Sequence, residues 1–278
     1  MPLRSLALIL ALAALPLQPE SPPPSTSSAD VRPLLEAARG ASPLVCTLAA
    51  DGAAGWGGGL DAPAMPLASD ARDHLHRLRR SELPDADARA LVAALGSADD
   101  CQRHLAAVLL GRGRQEALAG PVGERLASAQ AGERAAALVA LGLMGASSQA
   151  PAVARALRDA EPPVRANAAW ALGRFDAAAH APAVEALVGD ASALVRRAAV
   201  GALGHLEHRG SVPALVKVLQ RDVDAETRRV AAWALGQLDE AGAAADLATA
   251  LRRDRDPEVR EMAAWALGDD GLPGGSGA

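Results

Sequence analysis

The chain has 278 residues, half of them hydrophobic, and carries a formal net charge of −5 at pH 7 without a long basic run. This charge excludes a protein that binds nucleic acid mainly by neutralising phosphates. Aromatic residues are scarce, with four Trp, one Phe and no Tyr, so small side chains must build most of the interior. Closely packed helix pairs suit such an interior better than one deep core.

Residues 1–19 are predicted to be a secretory signal peptide. Arg4 supplies the positive charge, and an apolar run from Leu6 to Leu15 is followed by small residues and Pro16. A membrane anchor needs roughly 20 apolar residues, and this run is shorter. We therefore expect no stable membrane span after signal removal, although cleavage and retention as an anchor both stay open. Residues 20–30, rich in Pro and Ser, are predicted to be an extended linker.

Residues 31–83 are predicted to form a helical N-terminal cap with a Gly-rich loop at Gly52–Gly59. A phosphate-binding loop would need a preceding strand, and the sequence shows none, so a surface loop is the better interpretation. The two cysteines are Cys46, in the cap, and Cys101, beyond it. In an exported protein they are either one disulfide or two small buried side chains, and both interpretations stay open. Two isolated cysteines do not predict a metal site.

Residues 84–268 contain a repeated pattern. The segments VRANAAWALG, VRRAAVGALG, TRRVAAWALG and VREMAAWALG begin at Val164, Val195, Thr227 and Val259, which are 31, 32 and 32 residues apart. A fixed period of this size predicts a stack of helix pairs. We expect an all-α solenoid of about six antiparallel pairs, each made of a helix A followed by a helix B. Residues 269–278 are predicted to be a disordered tail.

The predicted helix boundaries rest on Gly and Pro. Each helix B is expected to end at a Gly that adopts the left-handed conformation, and Pro162, Pro163 and Pro257 are expected to begin helices. The expected A helices cover residues 85–95, 121–128, 150–158, 181–188, 211–219 and 242–251. The expected terminal glycines are Gly111, Gly142, Gly173, Gly204, Gly236 and Gly268.

One arginine recurs in every helix B, and an aspartate precedes four of these arginines by six residues. We predict a structural ladder of Asp–Arg contacts along the solenoid, in which the aspartate caps helix B and also accepts a hydrogen bond from the arginine of its own or of the adjacent repeat. The arginines are Arg103, Arg134, Arg165, Arg196, Arg228 and Arg260. The aspartates are Asp159, Asp190, Asp222 and Asp254, with Ser97 and Ser128 in the first two repeats.

Trp170, Trp233 and Trp265 share one position in helix B, about 240° around the helix from Val164 and away from the predicted core stripe. Two interpretations stay open: they line a binding groove together with Arg197 and Arg229, as Trp and Arg often do at interfaces, or each indole packs over the neighbouring repeat. The stripe itself is predicted to contain Val164, Ala168, Ala171 and Leu172.

The recurring Asp, Arg, Ala pair and Leu-Gly at fixed offsets resemble the HEAT family, in particular the short HEAT-like repeats of phycobilisome lyases. This resemblance covers residues 84–268. It implies an α-solenoid whose B helices line a concave face, and it implies protein binding more often than chemistry. The iron-binding hydroxylases with similar repeats use His-Glu pairs, and this chain has no such pair. The chain has six histidines without a common register: His74, His76, His104, His180, His205 and His208.

Together these patterns predict a non-catalytic scaffold or adaptor that binds a protein or peptide on the concave face. We expect no cofactor, no metal, no catalytic residue and no nucleic acid. His205 and His208 form only a weak metal-binding pattern, since two ligands three residues apart are not a site. Export follows from the apolar N-terminal run, and a bacterial periplasm or cell envelope follows from the resemblance. The alternative is a HEAT-like enzyme, either a metal-dependent hydroxylase or a chromophore lyase.

Overall fold

The structure, a computed structural model, describes residues 31–41, 85–113, 116–238 and 241–268, which all belong to one compact unit, Val31–Ala278. Over these ranges the chain is α-helical without a strand. None of the helices within them is long and apolar enough to cross a membrane. The predicted signal peptide, linker, most of the cap and the tail lie outside the described residues.

The described helices are α1 (Val31–Ala38), α2 (Asp85–Ala94), α3 (Asp100–Gly113), α4 (Ala119–Glu124), α5 (Ala131–Met144), α6 (Ala150–Ala156), α7 (Pro162–Arg174), α8 (Ala181–Glu185), α9 (Ala193–His205), α10 (Val212–Arg221), α11 (Ala225–Leu238), α12 (Ala244–Arg253) and α13 (Pro257–Gly268).

Six helix pairs lie within residues 85–268 of the described structure. The even-numbered helices α2 to α12 are the A helices, and the odd-numbered helices α3 to α13 are the B helices. The A helices α4, α6, α8, α10 and α12 are each preceded by a single turn of 3₁₀ helix, which is tighter than an α-helical turn. These turns are Glu116–Leu118, Ser147–Gln149, Ala178–His180, Arg209–Ser211 and Ala241–Ala243. The predicted all-α solenoid is confirmed.

The core lies between each A helix and its B helix, on the stripe that the 3.6-residue period predicts. Val164, Ala168, Ala171 and Leu172 are completely buried. Helix α6 contributes Val153 from the other side, which is also completely buried. Because one pair buries too little apolar surface to be stable alone, each pair depends on its neighbours in the stack.

The B helices pack against one another along the stack. Each consecutive pair of B helices is in extensive contact, whereas the A helices of neighbouring repeats touch only slightly. These contacts agree with the expectation from the resemblance to HEAT-like repeats that the B helices line the concave side and the A helices the convex side.

The glycines near the ends of the B helices have a different role from the predicted one. Helices α5, α7, α9 and α11 continue past them, so the prediction that a left-handed Gly ends each helix is wrong. A methyl group placed on Gly111 would lie 2.2 Å from Cβ of Leu143, and one on Gly142 would lie 2.3 Å from Cζ3 of Trp170. These glycines are required because the next B helix approaches closely. The left-handed residues come three positions later, at Gly145, Asp176 and Glu207.

The first helix covers the N-terminal end of the stack. Helix α1 contacts α2 and α3. Gln102 Nε2 donates to the carbonyl oxygen of Leu35 over 2.8 Å, and the amide of Gly40 donates to Asp99 Oδ2 over 2.8 Å. Cys101 is buried at the start of α3. Cys46 lies outside the described residues, so the disulfide between the two stays a prediction.

Candidate functional site

The ladder arginines reach forward to the next repeat. Four of them form two parallel hydrogen bonds, from Nε and Nη2, to the aspartate that follows 25 or 26 residues later. These distances are 2.8 and 2.8 Å for Arg134–Asp159, 2.9 and 3.0 Å for Arg165–Asp190, 2.7 and 2.8 Å for Arg196–Asp222, and 2.9 and 2.8 Å for Arg228–Asp254. A bidentate arginine–carboxylate pair fixes direction as well as distance. Each pair therefore sets the position of one repeat relative to the next.

The remaining nitrogen of each guanidinium group binds its own repeat. Arg165 Nη1 donates to the carbonyl oxygens of Asp159 and Ala160, both over 2.9 Å. Arg196 Nη1 donates in the same way to Asp190 over 3.0 Å. One arginine thus connects two successive A–B loops, through the backbone of one and the side chain of the next.

The ladder aspartates do not cap helix B, which differs from the prediction. Asp159 Oδ1 accepts from the amide of Glu161, two residues later, and so closes a turn in the loop. In α11 the capping residue is instead Asp224, two residues after the ladder aspartate Asp222. Asp224 Oδ2 accepts from the amide of Thr227 over 2.8 Å at the start of α11. The ladder aspartate therefore shapes the loop and holds the arginine.

Partial burial makes these pairs stronger than ordinary surface ion pairs. The side chains of Arg196 and Asp222 are 13% and 6% exposed. The hydrogen bond from Arg134 lowers the pKa of Asp159 below its ordinary value, and the bond from Arg228 does the same for Asp254. Burial alone would raise the pKa of Asp190, but hydrogen bonds from Arg165 and from the Ser192 amide keep it below its ordinary value. The carboxylates are thus held in the charged form.

The two end members of the predicted ladder form no ion pair with a described aspartate of a following repeat. Arg103 pairs with Asp100 on its own helix, because Ser128 stands where later repeats have aspartate. Arg260 Nη1 donates to the carbonyl oxygens of Asp254 and Arg255, and it forms no ion pair with a described residue. The described ladder therefore has four complete steps, from α5 to α12.

Two of the three predicted surface tryptophans are buried. Trp170 is 6% and Trp233 is 7% exposed, and their rings lie over Gly142 and Gly204 of the preceding B helices. The packing interpretation is therefore correct for these two, and the prediction that they present a binding surface is wrong. Trp265, on the last described helix, is 40% exposed.

The two arginines predicted to line the groove are only partly exposed. Arg197 and Arg229 directly follow ladder arginines, on the side of helix B away from helix A. Arg229 forms two hydrogen bonds with Glu226, at 2.8 and 2.5 Å. Arg197 Nε donates no hydrogen bond to a described residue. Burial raises the pKa of Asp224, but two hydrogen bonds from Thr227 and, to a smaller extent, the charge of Arg197 hold it below its ordinary value. The residue at this position differs between repeats: His104, Ala135, Ala166, Arg197, Arg229 and Glu261.

His205 and His208 point to different partners. The ring of His205 meets that of Trp233 edge to face, with centroids 4.9 Å apart. His208 Nδ1 lies 2.8 Å from Ser211 Oγ, which in turn donates to Glu185 Oε2 over 2.5 Å. Ser211 is completely buried and donates its proton to the carboxylate, so it is not an activated nucleophile. Over the part of the chain that the structure describes, no three potential ligands cluster around a metal position.

Comparison with known proteins gives a consistent result. HEAT repeats match residues 119–192 and 180–268, more than half of the chain, whereas no curated protein matches it. The chain is similar to YibA of Escherichia coli, with 20% identity, a TM-score of 0.56, and coverage of 72% of this chain and 75% of YibA.

Two further structures align with lower TM-scores. One is the complex of CpcE and CpcF of phycocyanin lyase from Nostoc sp. PCC7120, with 20% identity, a TM-score of 0.49, and coverage of 92% and 93%. The other is a designed armadillo repeat protein in complex with the peptide (KR)4, with 22% identity, a TM-score of 0.48, and coverage of 64% and 97%. At these identities the likeness to YibA shows the fold alone. The repeat period, the paired helices and the family match show that this chain belongs to the HEAT-repeat family.

Proposed function

We propose that this chain is a non-catalytic scaffold that binds a protein or peptide on the concave face of its solenoid. One observation carries the proposal. Along each B helix the ladder arginine is constant and engaged in structure, whereas the next residue changes from repeat to repeat. A rigid frame with a variable inner row is the arrangement by which solenoids recognise extended partners.

The chemistry of this row supports a protein partner. Arg197 and Arg229 lie on the adjacent B helices α9 and α11, and Trp265 is exposed on the following B helix, α13. Arginine and tryptophan are enriched among residues that dominate binding energy at protein interfaces. The bidentate ladder holds the helices in fixed relation, so the row is preorganised and binding costs little ordering entropy.

The proposal includes export to the periplasm or cell envelope of a bacterium. Its support is the sequence pattern of residues 1–19, in which a basic residue precedes an apolar run and then small residues. Secretion of the chain fused to a reporter that is active only outside the cytoplasm tests this part. Loss of secretion on replacing Leu8 and Leu10 with Arg is expected.

Site-specific photocrosslinking tests the binding face. Benzoylphenylalanine replaces Arg197 or Arg229 on the concave side, and Lys217 or Arg155, both exposed on A helices, in matched control variants. We expect one protein to crosslink at the concave positions in intact cells and to be competed away by excess unlabelled chain.

Equal crosslinking at the convex positions would contradict the proposal. Stoichiometric iron or a bound tetrapyrrole in the protein purified from its source would favour the HEAT-like enzyme instead. Metal analysis and the visible absorption spectrum of the same preparation measure both.

A further inference from the structure

A crevice of about 460 Å³ lies between the fifth and sixth helix pairs, where the A–B loops meet the ends of α10 and α12. It is on the loop edge of the solenoid, apart from the concave row. Leu219 and Ala250, both nearly buried, provide apolar surface within it. Val223, at 78% exposure, is the most exposed large hydrophobic residue that the structure describes. The crevice is therefore partly apolar.

The carboxylates that line the crevice are already engaged. Asp222 is held by Arg196 of the preceding repeat, and Asp254 is held by Arg228. Asp246 Oδ1 accepts a hydrogen bond from Gln220 over 2.6 Å. Only Asp246 thus keeps a negative charge that is not paired with an arginine.

Three arginines in the same lining form no ion pair with a described carboxylate, although the charge of Arg255 contributes to the lowered pKa of Asp254. Arg221 and Arg253, the last residues of α10 and α12, form no side-chain hydrogen bond or ion pair with any described residue. Arg255 donates from Nη2 to the carbonyl oxygen of Val223 over 2.9 Å and forms no ion pair. The lining as a whole holds four arginines and three aspartates, a net formal charge of +1, although the whole chain is negative. Such a cleft concentrates anions.

The repeat pattern shows that Val223 and Arg255 are specific to this end of the solenoid, whereas the arginine before the ladder aspartate also occurs in the third repeat. The position before the ladder aspartate holds Arg158, Gly189, Arg221 and Arg253 in successive repeats. The position after that aspartate holds Ala160, Ala191, Val223 and Arg255. Packing is satisfied by Ala at this position in the earlier loops, so the exposed Val223 and Arg255 are not needed for the fold. The C-terminal carbonyls of α10 and α12 favour a cation, but Arg255 lies in a loop beyond them.

We propose that this crevice binds an acidic peptide segment of a partner protein. Carboxylates of the segment accept hydrogen bonds from Arg221, Arg253 and Arg255, as arginine clusters do for acidic motifs. An apolar residue between the carboxylates contacts Val223. The apolar wall favours a peptide over inorganic phosphate, and the net charge of −5 opposes a long polyanion such as nucleic acid. This site does not depend on binding at the concave face.

Fluorescence anisotropy with the full chain tests the proposal. The probe is a labelled, end-blocked peptide that alternates aspartate and leucine, and the matched probe has asparagine at every aspartate. We expect saturable binding of the acidic probe alone, weakened by added salt because the charges are solvent-accessible. Arg253→Ala should weaken binding about tenfold, as expected for the loss of a charge-assisted hydrogen bond. Val223→Ala should weaken it less.

Arg158→Ala is the matched control, because Arg158 is exposed and occupies the same register in the third repeat. We expect it to leave binding unchanged, and the circular dichroism of all variants to match the wild type. Absence of binding, equal binding of the asparagine probe, or an equal loss in Arg158→Ala would overturn the proposal. Displacement of the labelled peptide by millimolar phosphate would also overturn the proposal, in favour of a phosphate ligand. Displacement by single-stranded DNA at a lower concentration than unlabelled peptide requires would do the same.

Discussion

Arg196→Ala is predicted to destabilise the solenoid at its centre. The substitution removes the bonds of 2.7 and 2.8 Å to Asp222 and the bond of 3.0 Å to the Asp190 carbonyl oxygen. It leaves the Asp222 carboxylate, 6% exposed, without its cation. Removing one member of a buried pair costs about 3–5 kcal/mol. We expect about 3 kcal/mol, because Asp222 keeps the hydrogen bond from the Asp224 amide.

Thermal unfolding followed by circular dichroism measures this loss. For a protein of this size, 1 kcal/mol corresponds to about 2–4 °C in Tm, so Arg196→Ala should lower Tm by about 6–12 °C. Arg260→Ala is the matched control, because Arg260 has the same register and the same bond to its own loop but no ion pair with a described carboxylate. Its expected loss is about 1 kcal/mol. Equal losses in the two variants, or an unchanged Tm in Arg196→Ala, would refute the structural role of the ladder.

Three further predictions concern packing, pH and solvent access. Gly142→Ala should cost about 1–3 kcal/mol in urea unfolding, because its methyl group would lie 2.3 Å from the ring of Trp170; unchanged stability would contradict the close approach of the B helices. The folded pKa of Asp190 lies below its ordinary value of 3.8, so its contribution to stability is complete above that pH and is lost as the pH falls through the folded pKa. Asp190→Asn should therefore flatten the acid limb of stability against pH, and an unaltered limb would contradict this. Acrylamide should quench Trp265 more than Trp233, so Trp265→Phe should reduce total quenching more than Trp233→Phe does.

The sequence predicted the features that depend on period alone. A spacing of 31 or 32 residues, an apolar stripe and an arginine at constant offset were enough for the helix pairs and for the existence of the ladder. The pairing of Arg165 with Asp190 of the next repeat, however, depends on how far one repeat is displaced from the next. Sequence spacing does not contain that distance, so the pattern left own-repeat and next-repeat pairing equally open.

The errors have a common physical cause. Gly142 stands near the end of a helix, where a glycine often stops it. Packing requires it because a methyl group at this position would lie 2.3 Å from the ring of Trp170. The position of Trp170 on the helical wheel points away from helix A, but the wheel does not show that the preceding helix B covers it. Local patterns identify which face a residue occupies, whereas the neighbour on that face depends on the curvature of the whole stack.

The crevice at the fifth and sixth repeats could have been found from the sequence. Once the repeats are aligned, Val223 and Arg255 stand where the third and fourth repeats have Ala. Departures from a structural repeat at exposed loop positions are the signal for a function specific to one repeat. The charge of the crevice could not be predicted in the same way. In the sequence, Asp222 and Asp254 stand next to the crevice arginines and would be expected to neutralise them, whereas in the structure they pair with Arg196 and Arg228.

The most direct test measures the affinity of the full chain for the partner protein that photocrosslinking identifies, with both proteins purified. It decides whether the concave row is the recognition surface. The double variant Arg197→Glu and Arg229→Glu reverses two charges on adjacent B helices, and Lys217→Glu reverses one on the convex side. Isothermal titration should show an affinity at least about tenfold lower for the concave variant and unchanged for the convex one. Unchanged affinity in the concave variant, or a loss confined to the convex variant, would contradict the proposed binding face.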